Sequence, residues 1–141
     1  MIEKVKSMEA CQKLCVVMFD EMSFRKELSY CRQSDSVDGL VELPDKQNEI
    51  CTQALVFMAR GVAANWKQPL GFFYSSNAAP AHCLHDLLLT VLKRLCDIDL
   101  SPVAVISDQA STNRQLFTGL GLTATKPYFE VGSQIKLWML F

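Results

Sequence analysis

Apolar positions along this chain fall into several short runs and one long helical stripe, and their spacing predicts the elements. Leu14-Cys15-Val16-Val17-Met18-Phe19 is an unbroken apolar run that ends on Asp20. Short runs rich in β-branched residues predict strands buried on both faces. Ala54–Val62 and Leu70–Ser75 read as two more strands, and Asn65–Pro69 forms a link short enough for an antiparallel connection. After Pro80, Leu84, Leu87, Leu88, Val91, Leu92 and Leu95 recur at helical spacing, with His82, Asp86, Lys93 and Asp97 on the opposite side. Val103–Ile106 is another short buried-strand pattern, leading into Ser107-Asp108. Ser111–Leu120 fits a short helix stopped by Gly121. Tyr128–Val131 and Ile135–Phe141 read as the last strands.

Between the first and second strands the pattern turns polar. Glu27–Arg32 and Leu40–Leu43 are expected to pair around the turn-prone Asp38-Gly39, followed by a loop over Pro44–Asn48. Residues 1–12 form a polar lead-in, and residues 13–141 carry the domain. Three early strands, a helix, a strand, a second helix and a further strand make an α/β plan. The strands joined through the helix are expected to be parallel, with a right-handed crossover.

Composition narrows the class. With 141 residues, half of them hydrophobic and 21% charged, the chain is long and apolar enough for one domain with a real core. The net charge of −1 gives no overall basic excess for nucleic acid. No apolar stretch reaches the roughly 18 residues of a membrane span, and the charged N-terminus lacks a secretory core, so an intracellular protein is expected. The six scattered cysteines then read as small buried hydrophobes.

The chemistry rests on a repeated pattern: an apolar strand runs into aspartate twice, at Asp20 and at Asp108. Open α/β sheets gather functional groups at the C-terminal ends of their strands. If the two strands are parallel neighbours, their carboxylates converge, and such a pair calls for a hard divalent cation. Two such ions about 4 Å apart activate water and stabilise the leaving oxygen in phosphodiester cleavage. The plainer reading is that aspartate after a strand makes a turn or caps a helix, natural for Asp108 ahead of Ser111. Glu21 points to the opposite face from Asp20. His82, Cys83 and His85 lack a fourth zinc ligand, and Cys11 and Cys15 lack a matching downstream pair. Glycine-rich phosphate loops and a Cys–His nucleophile arrangement are missing from the sequence. Arg60, Lys67, Lys93, Arg94, Arg114 and Lys126 are cations for phosphate but dispersed, and Trp66 suits either stacking on a base or packing at a loop edge.

Four blocks then carry a resemblance: Val16-Val17-Met18-Phe19-Asp20-Glu21-Met22, Gln53-Ala54-Leu55-Val56-Phe57-Met58, Trp66-Lys67-Gln68-Pro69-Leu70, and Val105-Ile106-Ser107-Asp108-Gln109-Ala110-Ser111-Thr112-Asn113. In order and spacing they resemble the P-element transposase family, including vertebrate transposase-like proteins with a THAP zinc finger, over roughly residues 13–133. The resemblance implies an RNase H-like mixed sheet, incomplete at the C-terminus. It also implies a site of two aspartates and a later glutamate holding Mg²⁺ or Mn²⁺, with Asp20 and Asp108 as the first two catalytic and metal-binding residues. The implied reaction is nicking of transposon-end DNA followed by strand transfer, in the nucleus, by a protein with no membrane segment and with oligomer formation left open.

Ile135–Phe141 departs from the family pattern, and no residue here aligns with the third acid. The isolated chain is therefore expected to be incompetent. The alternative is a domesticated, non-catalytic remnant serving as a protein or DNA interaction module. A less favoured variant completes a stand-alone nuclease site with Glu130.

Overall fold

The computed structural model describes residues 2–41, 49–131 and 135–140, without the side chains of Asp38 and Ile135. The lead-in holds a short helix α1 (Ile2–Lys6) and a 3₁₀ turn (Ala10–Lys13). Strand β1 (Leu14–Ser23) follows, then a small hairpin of β2 (Ser29–Cys31) and β3 (Ser36–Asp38). The antiparallel strands β4 (Gln53–Gly61) and β5 (Lys67–Ser75) lead into helix α2 (Ala81–Asp97). Strand β6 (Ser101–Ile106), helix α3 (Ser111–Gly119), β7 (Tyr128–Val131) and β8 (Ile135–Leu140) complete the order.

The main sheet has six strands in the order β5-β4-β1-β6-β8-β7. The β1 strand pairs antiparallel with β4 and parallel with β6, and β6 pairs parallel with β8. The mixed α/β sheet expected from the pattern is therefore present. The two strands that end on aspartate are adjacent and parallel, the condition on which any convergence of their carboxylates depends.

One expectation needs correcting. Strand β1 is buried on one face only. Cys15, Val17 and Phe19 are almost wholly enclosed, whereas Val16 and Met18 are half-buried and Asp20 is exposed. The ladder carries the same division across the sheet: Val17, Ala59 and Val105 face the core, as do Phe19 and Phe57, whose rings lie 5.4 Å apart. Helix α2 lays Leu84, Leu88, Leu92 and Leu95 on that core and leaves His82, Asp86, Lys93 and Asp97 exposed, as its periodicity predicts. The opposite face carries Met22, Phe72, Trp138 and Leu140, all about half exposed or more. An unbroken apolar run cannot by itself distinguish a strand covered twice from one covered once, because Met18 and Val16 look the same in both.

The polar hairpin is also placed differently. Its ladder joins Ser29 to Asp38 and Cys31 to Ser36, so the reversal lies at Arg32–Asp35, with Asp35 at φ +49°. Asp38-Gly39 ends the second strand instead, and Gly39 takes φ +106° beside the Glu27 carbonyl, where a Cβ would not fit. Glu42 and Leu43 of the expected second strand and the expected loop 44–48 lie outside the described residues. The link before β5 is shorter than expected, because Lys67, Gln68 and Pro69 already belong to that strand.

The two longer helices, α2 and α3, end in the same closure. After α3, Leu122 N–H donates to the Phe117 carbonyl and Gly121 N–H to that of Thr118, with Gly121 at φ +77°. This is the paired closure that glycine favours. After α2 the same two bonds form through Asp99 at φ +66°, whose carboxylate is ion-paired with Lys13. No disulfide joins any of the six cysteines: Cys15 and Cys51 are buried as expected, Cys31, Cys83 and Cys96 are partly buried, and Cys11 is exposed. Among the described residues no helix is long and apolar enough to cross a membrane.

Candidate metal centre

Register sets the site. Met18 of β1 lies beside Ile106 of β6, and each aspartate follows two residues later, at the same end of adjacent parallel strands. Asp20 still belongs to β1, paired with Val56, and its side chain emerges on the open face. Asp108 sits just past the end of β6, also exposed, at the entrance to α3.

Hydrogen bonds orient both carboxylates. Asp20 Oδ1 accepts the N–H of Glu21 at 2.8 Å. Asp108 Oδ1 accepts the N–H of Ala110 at 3.1 Å and the side-chain amide of Asn113 at 2.6 Å. Asn113 is buried in the first turn of α3 and also approaches the Asp108 carbonyl at 3.4 Å. The turn role weighed for Asp108 is thus real, and it holds one carboxylate oxygen while the carboxylate remains at the surface. A helix-start contact and a ligand role are compatible, because a carboxylate has a second oxygen to offer.

The neighbouring acids sort by face. Glu21 points away from Asp20, as strand alternation requires, and its Oε1 accepts the N–H of buried Ala79 at 2.7 Å, just ahead of α2. Glu130 is no partner for the aspartates. It pairs with Lys136, two positions before Trp138, which lies beside Ala104. That register puts Glu130 level with the start of β6, about 20 Å along the strand direction from Asp108. Among the described residues no three His, Cys, Asp or Glu side chains gather closely enough to hold a metal. Among the described residues the donors therefore fit a hard oxygen-seeking ion in kind but amount to two carboxylates. Trp66 proves to be a packing residue, buried, with its indole N–H donating to the Gln12 carbonyl at 2.9 Å.

A family described as "TNP-like, RNase H N-terminal domain" matches residues 1–121. The chain belongs to this transposase RNase H-like family. It is 30% identical over 118 residues to the transposable element P transposase of Drosophila melanogaster, and 24% identical over 124 residues to the human DNA transposase THAP9. Each match covers 84% of this chain and 14% of the relative, so the chain spans a small part of either protein. The fold matches a chain of the Drosophila P element transposase strand transfer complex, with a TM-score of 0.77 and 24% identity over 99% of this chain and 29% of that one.

Both candidate aspartates stand out in the sequence, whereas the groups that hydrogen-bond or anchor them do not. Asn113 stood inside the fourth block, where its five-residue spacing from Asp108 was the available signal. The role of Glu21 depends on a contact 58 residues away and leaves no local trace.

Proposed function

We propose that this domain contributes Asp20 and Asp108 to the metal-binding acidic centre of a P-element-type DNA transposase, which cleaves transposon-end DNA and transfers the strand in the nucleus. The observation that carries this reading is the parallel pairing of β1 with β6, which delivers both carboxylates to one end of the sheet. Two carboxylates that approach one another there would repel, and a divalent cation such as Mg²⁺ or Mn²⁺ would relieve that repulsion. When bound, such ions supply activation of the attacking oxygen and stabilisation of the leaving oxygen. The chain's own residues do the positioning. Asn113 and the Ala110 N–H hold one oxygen of Asp108, and Glu21 anchors the strand bearing Asp20 to the loop before α2.

Two carboxylates make an incomplete triad, so the isolated chain is expected to bind Mn²⁺ weakly and to leave DNA uncut. Manganese binding followed by electron paramagnetic resonance tests the reading, and binding unchanged in Asp20→Asn and Asp108→Asn would refute it. Metal-dependent cleavage by residues 1–141 that is lost in Asp20→Ala would overturn the claim of incompleteness. The exposed apolar sheet face favours a second reading, a domesticated non-catalytic module. Retention of a cellular role by Asp20→Ala in the complete gene product would support it.

A further inference from the structure

One row of positions crosses one face of the sheet from edge to edge, exposed at Lys67, Arg60 and Trp138, half-buried at Val16 and buried at Ala104. The ladders align Lys67, Arg60, Val16, Ala104, Trp138 and Tyr128, one from each of the six strands in spatial order. Five strand spacings make the row about 24 Å long. The same face carries Asp20, four residues beyond Val16 or about 13 Å away along β1.

The ends of the row are cationic. Arg60 and Lys67 are direct cross-strand partners and both exposed, and neither meets a carboxylate among the described residues. Like charges directly opposite repel, and an anion bridging them relieves the strain. At the other end, Lys136 and Lys126 hold their ammonium groups 5.1 and 5.5 Å from the Tyr128 ring centre. Lys136 does so although Glu130 is its ladder partner. The Tyr128 ring packs 5.5 Å from that of Trp138, whose indole is 51% exposed. A large aromatic propped by a second ring and flanked by two held cations is a stacking platform beside two phosphate sites.

We propose that this row is a binding track for single-stranded DNA, with a base stacked on Trp138 and phosphates at Lys126 and Lys136 and at Arg60 and Lys67. The inference rests on the DNA-transposase reading and adds where the strand lies. Charge complementarity argues for nucleic acid over a protein partner: the cations stand at both ends and the apolar positions between. An unpaired strand suits the platform because stacking on Trp138 needs an exposed base face, which a duplex hides.

A short oligothymidine titrated into the chain tests this by tryptophan emission and anisotropy. Trp66 is buried, so quenching reports on Trp138. The oligothymidine is expected to quench it, with a log–log salt slope of about −2.8 for four phosphate contacts. W138A should weaken binding about tenfold while W138F keeps most of it. R60E with K67E should weaken it further and flatten the slope, all with unchanged thermal melting. Affinity indifferent to W138A and to the charge reversals overturns the track. So does a preference for duplex that survives W138A, or Trp138 quenching that follows protein concentration without DNA. Failure of the track would leave manganese binding in W138A intact. Failure of the metal reading would leave oligothymidine binding intact.

Discussion

Glu21 and Ala79 are joined across 58 residues of sequence, the carboxylate Oε1 accepting the backbone N–H at 2.7 Å. The bond ties the C-terminal half of β1 to the loop that starts α2. It also fixes alternation at that point: with Glu21 held on the core side, Asp20 must emerge on the other.

Removing that acceptor strands a partly buried N–H. Glu21→Ala is expected to cost about 1.5–3 kcal/mol, the range for hydrogen bonds to charged groups. Glu21→Gln keeps a carbonyl acceptor and should cost about half as much. Urea midpoints at constant m-value check both. Equal losses would show that the charge, rather than the bond, stabilises the junction.

Asp20 and Asp108 differ in what the fold asks of them. Asp20 is exposed and, among the described residues, accepts only from its neighbour's N–H, so Asp20→Ala should change stability by less than about 0.5 kcal/mol. Asp108→Ala deprives the buried Asn113 amide and the Ala110 N–H of an acceptor and should cost about 1–2 kcal/mol. Under the metal reading, Mn²⁺ raises the melting temperature of the parent and of neither variant. A manganese shift that survives in both would leave Asp108 with its helix-start role alone.

Gly61 is required by close approach. A Cβ there would stand 2.4 Å from the Ala64 carbonyl oxygen and 2.5 Å from the Trp66 indole nitrogen. The indole is fixed by its bond to Gln12, so the ring cannot swing clear without breaking it. Gly61→Ala should cost about 1–3 kcal/mol. A Gly61→Ala variant as stable as the parent would show that the Trp66 loop yields.

The order of elements was legible because each long element has a single dominant period. Leu84 to Leu95 repeats as a helix, and Gly121 marks a helix end that needs positive φ. The aspartates were legible because each follows an apolar run. Three things were not. The hairpin turned at Arg32–Asp35 because Asp35 takes the left-handed conformation as Asp38-Gly39 was expected to. The open face was hidden because half-buried Met18 and buried Val17 are both apolar. The row from Lys67 to Tyr128 is written in strand register, which no local window contains; Arg60 and Lys126 looked dispersed because they lie 66 positions apart in sequence.

Cys15 gives the chain a predictable alkaline limit. Burial, with Cys96 nearby as the second cause, pushes its thiol from 9.0 up to about 12. The native state therefore keeps the proton that the unfolded chain gives up above pH 9. A folded-state value raised above the unfolded one means that this contribution is complete below pH 9 and is lost as pH climbs towards 12. Urea midpoints should accordingly fall between pH 8.5 and pH 10.5 in the parent, and fall less in Cys15→Ala, which also carries a small cavity cost at every pH. In the folded protein iodoacetamide should label exposed Cys11 well before Cys15, because the thiolate is the nucleophile and Cys15 is both enclosed and protonated. Labelling of Cys15 at a rate matching Cys11 under native conditions would mean that the start of β1 opens readily, and the predicted pH slope would vanish with it.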